Sequence, residues 1–418
     1  MITSIEVGLL RDDFCRKQEL EDIIFSSLES KLFAKHSIIY IPSKKFTFLN
    51  EFKESINCVS IDEIADKVDR DNVEFYYYEF SEHIVPELEV MEAHDEQITS
   101  SMHWILPNKT DLNGLWESLV YDNNLKENLL NFAKTILLFS EMAVDQNIIS
   151  CNRLILLHGK PGTGKTSLAK ALAQKLSIRM NNKYQFSHLF EINSHSLFSR
   201  YFSESGKLVM KLFQQIQEVI EMESNLVIVL IDEVESIAFA RENISNNEPS
   251  DSVRVVNSVL TQLDKIKRYP NVLIIATSNL TKSIDLAFLD RADIVMMIEQ
   301  PSFDAIFKII SSAINELVDK GLIIADSLDD GRDDFNIDTI NNFDTFLEIQ
   351  NFLPFSTANI MCHVCKEASG ISGRSLRKLP FLAHALFLKK SKATLREFLI
   401  AMRAAVDYTK RNKDVIQE

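Results

Sequence analysis

The chain has 418 residues, 46% of them hydrophobic, and a formal net charge of −15. That length allows two or three domains with cores of their own, and the negative balance disfavours direct binding to a nucleic-acid backbone. No run of about 18 apolar residues marks a membrane span, the opening MITSIEVGLLRDDF lacks the pattern of a secretion signal, and five cysteines, an odd number, fit a reducing compartment.

Residues 1–95 combine a helical stripe (Leu20, Ile23, Ile24, Leu28, Leu32) with the β-rich runs SIIYIP and VEFYYYEF, which predicts a small α/β domain. The polar stretch MEAHDEQITSSMH (91–103) reads as a connector, and a linker is expected over 96–113. Residues 114–144 have a helical rhythm. From 154 onward, short apolar runs at Leu154–Leu157, Leu189–Ile192, Val227–Ile231, Val272–Ala276 and Ile294–Ile298 alternate with helical patterns. Such unalternated runs suit strands covered on both faces. Leu168, Leu172 and Leu176 mark one crossover helix; Val209, Leu212, Phe213, Ile216 and Ile220 mark another. A five-stranded parallel α/β domain over 114–301 is the expected result.

Beyond Pro301 the helical patterns dominate, so a helical domain is expected over 302–418. An acidic stretch at 326–344, in which Arg332 is the only basic residue, reads as a solvated loop. Cys362-His363-Val364-Cys365 has the spacing of half a zinc site, but no second pair completes it, and a helix with two buried thiols is the expectation.

The chemistry begins at GKPGTGKT, residues 159–166. Gly159, Lys160, Pro161, Gly162, Thr163 and Gly164 follow a predicted strand and open a predicted helix, the context in which backbone N–H groups surround phosphate oxygens. Lys165 is placed to reach the β- and γ-phosphates and Thr166 to hold Mg²⁺, which makes ATP with Mg²⁺ the expected ligands. Three of only ten glycines fall within these six positions, more than an ordinary strand-to-helix turn needs.

VIVLIDE (227–233) ends an apolar strand in two adjacent carboxylates. Asp232 can support the metal and Glu233 can polarise an attacking water, a pairing that fits a hydrolase better than a switch. Another strand leads into Asn279 at the same carboxyl edge, where its amide can position water or touch the γ-phosphate.

This ordered set, with LDRAD (289–293) and GISGRSLRK (370–378), resembles the Walker A, Walker B, sensor 1, arginine finger and sensor 2 motifs of AAA+ ATPases over roughly 100–418. LWESLVYD (115–122), DQNIIS (145–150), HSLFSRYFSESGKLV (195–209), EPSDSVRVVNSVLTQLDKIKR (248–268) and SGRSLRKLPFLAHA (372–385) are similar to segments of the pachytene checkpoint protein 2 family, which remodels HORMA-domain proteins. The resemblance implies a P-loop domain with a helical lid, a homohexameric ring, and an N-terminal domain that takes a HORMA-domain substrate, with an adaptor. It also implies action in spindle-checkpoint or meiotic chromosome control, in the nucleus and/or cytoplasm. Arg291 then reaches a neighbour's γ-phosphate, Arg374 on the lid senses the γ-phosphate of its own subunit, and Tyr201 and Phe202 line the pore and grip polypeptide. Another AAA+ unfoldase or a nucleotide-gated scaffold is the alternative; a DNA-loading machine is disfavoured by the charge. Position 160 departs from the family pattern, with Lys where relatives usually have Pro.

Overall fold

The computed structural model describes residues 3–10, 15–30, 33, 37–62, 64, 68–81, 87–93, 96–194, 205–235, 249–279, 286–324 and 357–417. Packing groups the chain into two units, Met1–Leu119 with Lys126–Gly159 and Lys165–Met297, and Val120–Leu125 with Lys160–Gly164 and Ile298–Glu418.

In the first unit, β1 (Thr3–Leu9), β2 (Ser37–Tyr40), β3 (Ile56–Ile61) and β4 (Val73–Glu79) form a four-stranded sheet in the order β2-β3-β1-β4, with only β1 and β4 parallel. Helix α1 (Lys17–Glu29) buries Leu20, Ile24 and Leu28, spaced four apart on one face, in a core with Ile5, Val7, Val59 and Ile61.

A seven-stranded sheet follows. Its members are β5 (Glu87–Ala93), β6 (Glu96–Leu106), β7 (Leu154–His158), β8 (Phe186–Asn193), β9 (Asn225–Asp232), β10 (Val272–Ser278) and β11 (Ile294–Met297), ordered β11-β7-β10-β9-β8-β6-β5. The five expected strands are parallel. Where the sequence suggests a connector at 91–103, and a linker over 96–113, the backbone instead forms the β5–β6 hairpin and adds two antiparallel strands to the edge beside β8. Polar composition concealed these strands, because backbone pairing to an existing edge does not require an apolar run.

Helices cover the large sheet. After α2 (Leu115–Ser118) and α3 (Leu125–Glu141) come α4 (Lys165–Arg179), α5 (Ser205–Ile220), α6 (Pro249–Ile266) and the short α7 (Leu286–Leu289). Val209, Leu212, Phe213, Ile216 and Ile220 of α5 are all at most 1% exposed, against Val227, Val229 and Ile231 of β9. Each such buried side chain contributes roughly 1.5–3 kcal/mol.

Helix α4 departs from the stripe read in its sequence, since it is buried on every side and carries charges inward. Lys175 Nζ lies 2.8 Å from Glu6, 3.1 Å from Glu117 and 3.2 Å from Asp62, and Arg179 bonds Glu6 at 2.6 Å and Asp62 at 2.7 Å. Charges this deeply buried persist only when paired. The three acids come from β1, from just beyond β3 and from α2, so the ion cluster ties the N-terminal sheet to the helix that begins at Lys165.

The second unit is helical. Ser302 caps α8 (Phe303–Asp319) by accepting the Ala305 N–H at 3.2 Å. With α9 (Thr357–Glu367), α10 (Gly373–Leu382) and α11 (Leu395–Gln417), it encloses a core containing Ile310, Ile314, Leu376, Leu379, Phe398 and Met402. Cys362 and Cys365 are fully buried on α9, and burial pushes the Cys365 thiol well up. The acidic stretch 326–344 lies outside the described residues.

Candidate functional site

Parallel pairing aligns the carboxyl ends of three strands. Ser278 of β10 is opposite His158 of β7, and Ala276 of β10 is opposite Ile231, which precedes Asp232. In open α/β sheets, ligands bind beyond these ends. His158 leads into the glycine-rich turn, Asp232 into Glu233, and Ser278 into Asn279. Burial, and then the charge of Lys165, lower the His158 pKa, which favours the neutral imidazole beside the cation.

Within the first unit, Lys165 is buried at the start of α4, and its Nζ donates to the Gly159 carbonyl at 2.9 Å. The Gly159 N–H donates to the Ser278 carbonyl at 3.2 Å. Thr166 donates its hydroxyl to Asp232 Oδ1 at 2.8 Å. A hydroxyl and a carboxylate are hard oxygen donors of the kind Mg²⁺ selects. Asn279 Nδ2 donates to Glu233 Oε1 at 3.3 Å, so the two residues expected around an attacking water are brought together.

The remaining loop residues group with the second unit. Gly162 has φ +78°, and a Cβ there would lie 2.9 Å from Ser372 Oγ and 3.5 Å from Arg374 Cβ. Only glycine suits that backbone and that clearance. The Arg374 N–H donates to the Gly162 carbonyl at 3.1 Å, which puts the backbone at the start of α10 on the glycine turn. Thr163 Oγ1 donates to the Lys160 carbonyl at 3.0 Å, and Lys160 and Pro161 are exposed, so the lysine departure at 160 occupies no core space. A phosphate-bearing ligand fits this turn: its glycine lacks room for a side chain, and a 15-residue helix starts immediately after it.

Arg291 follows α7. Its guanidinium forks onto Asp264 of α6, with Nε at 3.2 Å from Oδ1 and the second nitrogen at 2.9 Å from Oδ2. The hydrogen bond from Arg291 and contacts with Lys267 hold the Asp264 carboxyl below its ordinary value. Tyr201 and Phe202 lie outside the described residues.

Several participants were not legible as motif residues. Thr277 donates to Asp232 Oδ1 and accepts the Glu233 N–H at 3.2 Å. Glu235 accepts the Asn279 N–H at 3.1 Å. Tyr121 donates to the Gly164 carbonyl at 3.1 Å. Their only sequence signal is proximity to quoted motifs, which does not specify a partner.

The comparisons agree with this geometry. Residues 155–300 match the model of the ATPase family associated with various cellular activities (AAA), and residues 302–410 match the TRIP13-like, AAA+ ATPase lid C-terminal domain. Over 396 residues the chain is 46% identical to the pachytene checkpoint protein 2 homolog of Gallus gallus, covering 93% of this chain and 89% of that relative. The chain belongs to the pachytene checkpoint protein 2 family. The homolog of Arabidopsis thaliana is 50% identical over 324 residues, which is 76% of this chain and 68% of that one. The solved structure of C. elegans PCH-2 superposes with a TM-score of 0.75 at 35% identity, covering 98% of this chain and 99% of that chain. A chain of the E. coli MS115-1 HORMA:CdnC:Trip13 complex is similar in fold, with a TM-score of 0.52 at 15% identity, covering 75% of this chain and 97% of its own. As a member of the pachytene checkpoint protein 2 family, the chain is a nucleotide-binding ATPase built from an α/β domain and a helical lid.

Proposed function

We propose that this ATPase works as a homohexameric ring that partly unfolds a HORMA-domain protein, presented by an adaptor, in spindle-checkpoint or meiotic chromosome control. The observation that carries the hydrolytic half is the placement of Glu233 against Asn279, one residue beyond the Asp232 that Thr166 bonds. In this reading Lys165 binds the β- and γ-phosphates, Thr166 and Asp232 hold Mg²⁺, and Glu233, oriented by Asn279, takes a proton from water. Mg²⁺ when bound supplies charge neutralisation at the phosphates.

Arg291 acts on the neighbouring subunit's γ-phosphate. The two-point bond to Asp264 orients its guanidinium, a planar cation suited to charge developing on a transferring phosphoryl group. Arg374 senses the γ-phosphate within its own subunit, a role supported by its backbone bond to Gly162. Tyr201 and Phe202 grip the client, because rings give large, sequence-tolerant contact at little entropic cost. Within residues 1–95, the four-stranded sheet of β1 to β4 with α1 serves as the partner-binding domain.

The client class rests on family membership; in the E. coli MS115-1 complex a Trip13 chain occurs with a HORMA protein. Opening a segment of a folded domain costs at most its global stability, about 5–15 kcal/mol, which repeated turnovers can meet. The test is ATPase stimulation by a panel of HORMA-domain proteins with adaptor, beside loss of protected amides in the client. A panel that neither stimulates turnover nor loses protection eliminates this client class.

A further inference from the structure

We propose that Thr277 is a positioning residue for hydrolysis, clamping the Asp232-Glu233 step in the backbone geometry that points Glu233 at Asn279. This rests on the reading of Glu233 as the water-activating carboxylate.

Thr277 is the sixth residue of β10 and is 1% exposed. A threonine hydroxyl has one proton to donate and lone pairs to accept with, and here both capacities serve consecutive residues of the neighbouring strand end. The Oγ1 proton goes to Asp232 Oδ1, and the oxygen accepts the Glu233 N–H at 3.2 Å. The Thr277 carbonyl accepts the next N–H, that of Val234, at 2.9 Å. Three successive residues are therefore tied to a single position on β10.

The clamp matters because of the backbone it holds. Glu233 has φ +60°, a left-handed conformation that costs any residue with a Cβ and is tolerated where surrounding bonds over-determine it. Asn and Asp stabilise such a turn by short side-chain bonds to their own backbone; Glu233 instead extends its carboxylate to Asn279 Nδ2. Residues 277 and 279 follow each other at strand spacing, so both can address the Walker B end from one face of β10. Without the hydroxyl, the Glu233 N–H loses its acceptor and the turn loses the bond that opposes relaxation to negative φ. The carboxylate then leaves Asn279 while the glycine turn and Lys165 remain in place.

The experiment uses the full chain with Thr277→Val, which keeps shape and removes the hydroxyl, and Thr277→Ser, which keeps it. Turnover, affinity for a fluorescent ADP analogue, thermal transition and amide exchange of the segment containing Glu233 are read together. We expect Thr277→Val to lower kcat by about tenfold or more with analogue affinity within about threefold of the parent, and to speed exchange at Glu233. Thr277→Ser should recover most of the loss. In a Glu233→Gln background, Thr277→Val should add little, the signature of residues acting through one group. Turnover within about twofold of the parent in Thr277→Val overturns the proposal. So does a kcat loss matched by equal losses of affinity and thermal transition, or a serine variant as impaired as valine. Normal turnover in Glu233→Gln alone would instead remove the reading of Glu233, and unchanged exchange in Thr277→Val would still refute the clamp.

Discussion

Thr166 and Asp232, 66 positions apart, share a 2.8 Å hydrogen bond in which the hydroxyl donates to the carboxylate. The bond joins the first turn of α4 to the carboxyl end of β9, and it exists because β7 and β9 flank β10 in one parallel sheet. If Thr166 and Asp232 hold Mg²⁺ as proposed, this bond keeps two hard oxygen donors together in advance of the metal. In Asp232→Asn, the increase in nucleotide affinity that Mg²⁺ confers should disappear, leaving the affinity measured in EDTA. Titration of a fluorescent nucleotide with and without Mg²⁺ gives the comparison, and a retained increment would place the metal elsewhere.

Glu233→Gln keeps size and polarity but removes the basic oxygen. Turnover should fall by about 10² or more while nucleotide binding persists, since general-base assistance typically contributes 10²–10⁴. A phosphate-release assay beside a binding titration separates the two effects.

Arg291 and Glu233 belong to different active sites if the arginine acts across a subunit interface. Arg291→Ala and Glu233→Gln should then each be nearly inactive alone, yet recover part of the turnover when mixed, because some interfaces pair an intact glutamate with an intact arginine. The recovery should depend on mixing ratio and total concentration. No recovery under conditions where mixed rings are demonstrated would confine Arg291 to its own subunit, as a partner of Asp264.

The buried ion cluster makes a stability prediction. Lys175 is 2% exposed and faces Glu6, Asp62 and Glu117 at once, so Lys175→Met removes the cation that the three acids share, with Arg179 still bonding Glu6 and Asp62. A loss of about 3–5 kcal/mol is expected, as for breaking a buried pair on one side. Urea denaturation at neutral pH measures it, and replacement of Glu6 by Gln in the same chain should restore part of the loss.

A separate pH effect comes from His188 on β8, whose Nδ1 is 3.0 Å from Nε2 of His103 on β6. Burial first, and the neighbouring imidazole second, lower its pKa from 6.5 to about 4. Because the unfolded chain takes up this proton at higher pH than the folded one, the contribution is complete above pH 6.5 and declines as pH falls toward 4, by at most about 3 kcal/mol. His188→Gln should flatten the stability profile in that window, as followed by thermal melts across it.

What the linear sequence determined is the part that depends on local pattern. Apolar runs specified the five parallel strands: β7, β9 and β10 are covered on both faces and need no polar alternation, whereas β11 at the sheet edge is apolar yet leaves Val295 and Met297 exposed. The glycine-rich turn and the Asp232-Glu233 strand end were legible because their backbone and charge requirements are met by neighbours in the chain. The β5–β6 hairpin was not, since edge pairing is decided by the strand it joins. Nor were the pairings Thr277–Asp232, Asn279–Glu233, Arg291–Asp264 and Lys175–Glu6. Each connects residues far apart along the chain, and the hydrogen bonds and ion pairs that hold them depend on distance in space, which only the packed sheet and its helices set.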